Sequence, residues 1–110
     1  MKKYLSVRVR QLENKNQFVM RTSEGNYIFQ SYDSICCINQ NGKLIFGSDW
    51  DYSNTTRKHL YIFINDYCSL CGYTLEEREK IEKALTSNNR RKALQKLINE
   101  GVIEYDKTLY

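Results

Sequence analysis

The sequence contains no proline and only five glycines among its 110 residues. Flexible linkers and low-complexity tails depend on these residues, so their scarcity predicts a chain that is ordered along nearly its whole length. Long apolar runs are also missing, and none approaches the roughly 20 residues that a membrane-spanning helix requires. Charged residues interrupt the N-terminus before a signal-peptide core can form, which predicts a cytoplasmic protein with no membrane segment.

The sequence contains four cysteines, but their spacing does not give the four ligands of a complete metal site. Cys36 and Cys37 are adjacent in a predicted strand, where neighbouring side chains are expected to point to opposite faces. Cys68 and Cys71, followed by Gly72, have the spacing of half a zinc knuckle, and they are the ligands if any metal binds. Without a second half-site we predict four free thiols, no metal and no cofactor.

Length and hydrophobic content predict one folded domain over residues 1–110, because 41% apolar residues suit a single core. The formal net charge is +4, from 17 lysines and arginines against 13 carboxylates. A charge of this size suits nucleic acid, an acidic protein surface or ordinary solubility. It therefore selects no partner.

An alternation with a period of two predicts an antiparallel sheet of about five short strands within residues 4–47. The first of these strands, at residues 4–12, alternates apolar with polar residues, which is typical of a strand buried on one side. Asn41 and Gly42 form the strongest hairpin signal, because this pair suits a two-residue turn between strands. That turn joins an apolar run at residues 35–38 to the fifth strand.

After residue 50 the apolar period lengthens and predicts three helices. Ser53 and Thr74 are predicted N-caps, since a hydroxyl can accept a hydrogen bond from a first-turn amide. Gly101 is predicted to end the third helix, and a short C-terminal strand is expected after it. Apolar stripes predict an α+β fold in which the helices pack on one face of the sheet. The predicted helices span about residues 53–67, 75–87 and 89–100.

Signals of catalysis are weak in this sequence. His59 is the one histidine, and a lone histidine is typically a surface or capping residue. No nucleophile elbow, paired carboxylate spacing or phosphate-binding glycine loop accompanies it. We therefore predict a binding protein and not an enzyme, and a small hydrolase or nuclease has the least support.

Nine tyrosines among 110 residues are the clearest sign of a binding surface. Tyrosine combines a large rigid apolar area with a polar tip, and it is enriched where proteins meet partners. Tyr27, Tyr61 and Tyr67 fit a core. The candidates for partner contact fall in predicted loops, chain ends or outward strand positions: Tyr4, Tyr32, Tyr52, Tyr73 and Tyr110.

Basic residues form two groups that can contact phosphates or acidic side chains. A solvated, solubilising face explains each group about equally well. In the first strand, Arg8 and Arg10 are expected to share an outward face with Tyr4. The second group lies in the third helix: Arg90, Arg91, Lys92 and Lys96.

The order of the last elements leaves a second function open. A third helix followed by Gly101 and a short strand is similar to the recognition helix and wing of a winged-helix DNA-binding protein. The five preceding strands and the acidic second helix count against that interpretation. A nucleic-acid-binding regulator is therefore the alternative function.

Two motifs stand within residues 28–64. They are Ser31-Tyr32-Asp33-Ser34-Ile35 and Trp50-Asp51-Tyr52-Ser53-Asn54-Thr55-Thr56-Arg57-Lys58-His59-Leu60. These motifs resemble an uncharacterised family of small proteins carried by phages and plasmids of Gram-positive bacteria. Those proteins show a Ser-Tyr-x-Ser/Thr-x-Ile strand and a Trp-x-Tyr-Ser-x-Thr-Thr-x-Lys-His/Tyr block. In physical terms, Trp50 and Tyr52 are expected to pack the corner where the last strand turns into the first helix.

The resemblance implies an accessory protein of a mobile element that acts in the cytoplasm of a bacterial host. The implied mode of action is stoichiometric binding to a host protein or ribonucleoprotein. Its most concrete form is an anti-CRISPR inhibitor of a type II CRISPR effector nuclease. Salt-sensitive retention on duplex DNA would instead favour the nucleic-acid-binding regulator.

Overall fold

A computed structural model describes residues 7–11 and 16–109, with side chains described from residue 16 onward. The five predicted strands and three predicted helices are present within these ranges, which confirms the α+β fold. The strands are β1 (Val7–Gln11), β2 (Gln17–Thr22), β3 (Tyr27–Ser31), β4 (Ser34–Gln40), β5 (Lys43–Phe46) and β6 (Glu104–Tyr105). The helices are α1 (Asn54–Tyr67), α2 (Leu75–Leu85) and α3 (Arg90–Asn99).

The sheet follows the chain, with the strand order β1-β2-β3-β4-β5-β6. Strands β1 to β5 form an antiparallel meander. The C-terminal strand β6 pairs in parallel with β5, where Ile45 lies opposite Glu104. The sheet is therefore mixed, because the three helices form the long crossover that a parallel pair requires.

The predicted turn at Asn41 and Gly42 is confirmed. Both residues have a left-handed backbone, with φ of 54° and 77°. A two-residue turn with positive φ at both positions matches the right-handed twist of the flanking strands. The turn sets the register in which Gln40 pairs with Lys43.

The main core lies between the helices and one face of the sheet. The register places Val19, Phe29, Cys37 and Phe46 in one row across β2 to β5, and all four are buried. The Phe29 ring stacks on Phe63 of α1 with 5.6 Å between centroids. Each fully buried phenylalanine contributes roughly 1.5–3 kcal/mol to folding. The helices therefore pack on one face, as predicted.

The opposite face of the sheet carries a second apolar cluster. Met20, Ile28 and Ile38 form a row one residue out of phase with the first, and all three are buried. Ile45 and Leu109 pack against this row. Both faces of the central strands are thus apolar, which explains the continuous apolar run in β4.

The prediction that Cys36 and Cys37 point to opposite faces is wrong. The register between β3 and β4 shifts at Phe29, which pairs with Cys37, while the next residue of β3 pairs with Ile35. Cys36 is left without a partner across the ladder, as happens to the extra residue of a β-bulge. Both cysteines consequently join the cluster that faces the helices.

The helices begin where the sequence predicts. The Ser53 hydroxyl accepts a hydrogen bond of 3.1 Å from the Thr56 amide. Thr74 and Glu77 form a reciprocal capping box, in which the Thr74 amide and hydroxyl hold the pKa of the Glu77 carboxyl below its usual range. Gly101 ends α3 with φ of 81°. Helix α1 is the longest with 14 residues, and no described helix is long and apolar enough to cross a membrane.

Candidate binding surface

The two motifs of the sequence meet in space and form an open cleft. One side is the turn between β3 and β4, at residues 31–34. The other side is the segment that leads into α1, from Asp49 to Thr56. The cavity between them has a volume of about 660 Å³. We name it the Tyr32–Tyr52 cleft after the two exposed aromatic residues that line it.

Hydrogen bonds between side chains hold the two sides of the cleft together. Ser34 Oγ donates to Asp49 Oδ2 over 2.7 Å. Ser31 Oγ lies 2.9 Å from Thr56 Oγ1, and both residues are buried. These hydroxyls lie at the floor of the cleft and bond to groups of the opposite side. The bonds are needed because a buried hydroxyl without a partner would lower the stability of the fold.

Tyr32 has a backbone conformation that is unfavourable for any residue with a side chain. Its φ of 54° is left-handed, which costs a residue with a side chain roughly 1–2 kcal/mol compared with glycine. The Tyr32 amide donates to the Asn16 carbonyl over 2.8 Å, and Gln30 Nε2 donates to the Tyr32 carbonyl over 2.8 Å. The side chain is 44% exposed, so packing explains little of its presence.

Tyr52 is the more exposed of the two tyrosines, at 71%. Its amide donates to the Asp49 carbonyl over 3.1 Å, which forms the turn before α1. Trp50 in the same turn is 2% exposed and its ring lies 5.2 Å from the Phe46 ring. Trp50 therefore packs the strand-to-helix corner as predicted. The same prediction is wrong for Tyr52, whose side chain faces solvent.

The Cys36 thiol, which lines the cleft, is a poor nucleophile. Burial raises the pKa of the Cys36 thiol to about 12, so the thiol keeps its proton at neutral pH. Its sulfur lies 3.4 Å from the Asp49 carbonyl oxygen. His59, for which the sequence favoured a surface or capping position, is buried in α1 and does not line the cleft. Its Nδ1 lies 2.8 Å from the Thr55 carbonyl oxygen.

The arginines predicted to contact phosphate are already engaged in holding α3. Arg90 stacks on Tyr61 of α1, with 4.3 Å between the guanidinium carbon and the ring centroid. Arg91 Nε is 2.9 Å from Asp51 Oδ2. Arg57 also donates to the Asp51 carbonyl, over 3.0 Å. These contacts dock the start of α3 against the cleft side of α1.

Lys92 and Lys96 differ from the two arginines, because both side chains are exposed and free of ion pairs with described residues. Both line a concavity of about 740 Å³ beside α3, and Lys96 also lines a smaller one of about 350 Å³. Lys80 and Lys83 of α2 border the smaller concavity. We name this surface, defined by the four lysines, the lysine groove.

Sequence reasoning missed the α2 side of the lysine groove. Helix α2 also contains acidic residues. Lys80 and Lys83 are three residues apart and therefore share one side of the helix. Glu76 and Glu79, each four residues before one of these lysines, lie on the same side of α2, so no local charge pattern marks the two lysines. Only the packing of α2 beside α3 brings them to one concavity with Lys96.

The structure leaves the first predicted group of binding residues untested. Tyr4 and Tyr110 lie outside the described residues. Arg8 pairs with Arg21 and Arg10 pairs with Val19 through the backbone of β1. The side chains of β1 are not among those described, so the outward face shared by Tyr4, Arg8 and Arg10 stays a prediction.

Tyr73 does not belong to an exposed surface, contrary to the prediction. It is 7% exposed, and its hydroxyl accepts a 2.9 Å hydrogen bond from the Leu44 amide. This contact ties the start of α2 to β5. Tyr73 is therefore a core residue with a satisfied polar tip.

The Cys68–Cys71 segment is docked on the sheet by Asn39 of β4. Asn39 Nδ2 donates to the Ser69 carbonyl over 2.8 Å, and the Ser69 amide donates to Asn39 Oδ1 over 3.0 Å. Burial raises the pKa of the Cys68 thiol, whereas Cys71 is exposed. Within the described ranges no three ligand residues come together around this pair as a metal would need.

The chain after α3 does not form the wing of a winged helix. Its two strand residues, Glu104 and Tyr105, extend the large sheet beside β5. The Asp106 amide donates to the Phe46 carbonyl over 2.9 Å and continues this pairing. The three helices are therefore the covering layer of an α+β domain, and the similarity to a winged helix ends at their order.

Comparison with protein families matches residues 6–91 to a family of unknown function, DUF8033. The match includes both sides of the Tyr32–Tyr52 cleft and ends at the second residue of α3. Comparison with curated proteins and with solved structures gave no match. Because the family match covers most of the chain, the protein belongs to the DUF8033 family of unknown function.

Proposed function

We propose that this chain is a binding protein that engages one partner at a fixed ratio through the Tyr32–Tyr52 cleft. The observation that carries the proposal is the placement of Tyr32 and Tyr52, two exposed aromatic residues on opposite sides of one concavity. Tyrosines dominate the binding energy of many interfaces because they bury a large area with little loss of side-chain entropy. The left-handed turn at Tyr32 fixes the backbone from which one of these side chains projects.

The cleft suits binding better than catalysis. The Cys36 thiol remains protonated at neutral pH because burial raises its pKa to about 12. The Asp49 carboxylate accepts a hydrogen bond from Ser34, and the hydroxyls of Ser31 and Thr56 bond to each other. These polar groups are used within the fold, so the two tyrosine rings, the exposed Asp33 side chain and the cavity remain for a partner.

The partner that we propose is a host protein or ribonucleoprotein. An aromatic pair around a cavity suits insertion of a partner side chain, since hot spots pair with complementary pockets. A type II CRISPR effector nuclease is the most specific form of this proposal. That form comes from the resemblance of the two motifs to proteins of mobile elements.

The test is inhibition of a guide-loaded type II effector nuclease by the purified chain. We expect DNA cleavage to fall to zero at a fixed molar ratio of the two proteins. Tyr52→Ala and Tyr32→Gly should each weaken inhibition about tenfold or more, because loss of a hot-spot side chain costs more than about 1.4 kcal/mol. Glycine is chosen at position 32 because it removes the ring and relieves the left-handed strain.

The matched control is Tyr105→Ala, which removes a tyrosine of similar exposure, 46%, from the far strand β6. This variant should inhibit as the unmodified chain does. Cleft variants that fold and inhibit fully would contradict the proposed role of the cleft. A nuclease unaffected by the chain would contradict the named partner, and the same variants would then be compared in capture of partners from host lysate.

A further inference from the structure

The lysine groove is a second charged surface, and the Tyr32–Tyr52 cleft does not account for it. Lys80 and Lys83 of α2 line the smaller concavity together with Lys96 of α3. The larger concavity is lined by Lys92 and Lys96, and the two concavities adjoin because they share Lys96 and two neighbouring residues. None of the four lysines forms an ion pair with a residue in the described part of the chain. Glu100 is the acidic residue that borders the groove, at the end of α3. Three lysines thus line the smaller concavity with one carboxylate, Glu100, and Lys80 also interacts electrostatically with Glu77 of its own helix. Lys92 adds a fourth positive charge in the adjoining concavity.

The position of Lys92 adds to this positive charge. Lys92 is in the first turn of α3, which contains no acidic residue, and its amide donates to the Asn89 side chain over 3.1 Å. The N-terminal end of a helix carries the positive pole of the helix dipole, so a lysine there is unfavourable for stability. Folding therefore does not explain why a lysine occupies this position. An anion outside the chain that binds Lys92 does explain it.

Uncharged donors accompany the lysines along the groove. The side chains of Gln95 and Asn99 line it and bond to each other over 3.1 Å, which leaves an Asn99 amide N–H directed away from this bond. The Ser87 hydroxyl oxygen is buried in the same wall and has no hydrogen-bond partner among the described residues. Lysines together with amide donors are among the groups that contact phosphate oxygens in nucleic acids. The enclosed Ser87 hydroxyl is not accessible to a ligand and does not count among them.

The composition of the groove favours a nucleic-acid backbone over an acidic protein. Lysine is depleted in protein interfaces, where arginine and aromatic residues are enriched, and no described residue lining the groove is aromatic. The same lack of aromatic rings removes the stacking surface that single-stranded bases need. From these observations we infer that the lysine groove binds the phosphodiester backbone of a double-stranded nucleic acid without reading its sequence.

The inference is tested by the salt dependence of duplex binding. Fluorescence anisotropy with a labelled duplex DNA and a duplex RNA of the same sequence is measured between about 50 and 200 mM salt. The unmodified chain should bind at the low-salt end and lose affinity steeply as salt rises. Lys92→Gln with Lys96→Gln should reduce the slope of log affinity against log salt by about 0.9 per lysine on DNA. Lys80→Gln with Lys83→Gln tests the other wall in the same way.

The matched control is Lys107→Glu, which gives the same net charge of +2 as either double variant but lies outside the groove. It should leave the slope unchanged, and Tyr52→Ala should also bind duplex as the unmodified chain does. Tighter binding of one duplex identifies the nucleic acid and supports the inference. Absence of duplex binding at about 50 mM salt, or an equal loss of slope in the control, overturns it. Competition by poly-glutamate as effective as that by duplex also overturns it, in favour of an acidic protein.

Discussion

At the scale of single residues, Trp50 and Tyr52 belong to one sequence motif but differ in burial. Trp50 and Tyr52 are two residues apart, yet one is 2% and the other 71% exposed. The turn before α1 directs one ring toward Phe46 and the other to solvent. One motif therefore contains a residue of the core and a residue of the proposed binding surface.

Trp50→Ala should destabilise the fold by about 3–5 kcal/mol, because it removes a buried ring and leaves a cavity beside Phe46. Urea unfolding followed by far-UV circular dichroism measures this change. Tyr52→Ala is the comparison and should change stability by less than about 0.5 kcal/mol, since its side chain is exposed. An unchanged midpoint for Trp50→Ala would show that the ring is a surface anchor and not part of the core.

At the scale of elements, α3 combines a docking role with a binding role. Arg90 and Arg91 attach its first turn to α1 and Asp51. Lys92 and Lys96 project from the same helix into the lysine groove. The two lysines lie at opposite ends of the helix dipole, so charge reversal at each should affect stability in opposite directions.

Lys92→Glu should stabilise the fold by about 0.3–1 kcal/mol, and Lys96→Glu should destabilise it by a similar amount. The first change places a negative charge at the positive end of α3, and the second places one in the last turn. Both should weaken duplex binding, since both lysines line the groove. Thermal unfolding and anisotropy on the same two proteins measure both effects. If duplex affinity rose or fell together with stability in both variants, the lysines would act on binding only through folding. That result would contradict a separate binding role.

At the scale of the whole molecule, the segment between α1 and α2 couples the helical layer to the sheet. The Gly72 amide donates to the Gly42 carbonyl over 3.1 Å, and Asn39 holds Ser69 through two hydrogen bonds. A Cβ atom on Gly72 would overlap the Asn41 carbonyl oxygen. Glycine is therefore required where the two backbones meet.

Gly72→Ala should cost about 1–3 kcal/mol, because the added methyl forces the segment away from the hairpin. Hydrogen exchange at the Gly72 amide should accelerate, as its bond to Gly42 is lost. Gly25→Ala is the control: it has open space and only left-handed strain, so it should leave the Gly72 amide protected. Unchanged protection in Gly72→Ala would contradict the proposed coupling.

The elements of this protein follow from the sequence by itself. Asn41 and Gly42, the capping residues Ser53 and Thr74, and the terminating Gly101 predicted turns and helix ends that the structure confirms. Such signals act within a few residues, so they can be read without knowing the rest of the fold. The change of apolar period after residue 50 separated the strands from the helices for the same reason.

The surfaces were decided by the tertiary structure. A bulge turned Cys36 toward the helices, and the docking of α2 on β5 buried Tyr73. Register and helix packing also brought Tyr32 and Tyr52 to one cleft, and they placed two lysines of α2 beside Lys96 of α3. Each of these outcomes joins residues far apart in the chain. Local periodicity cannot specify them, because they depend on how complete elements pack against one another.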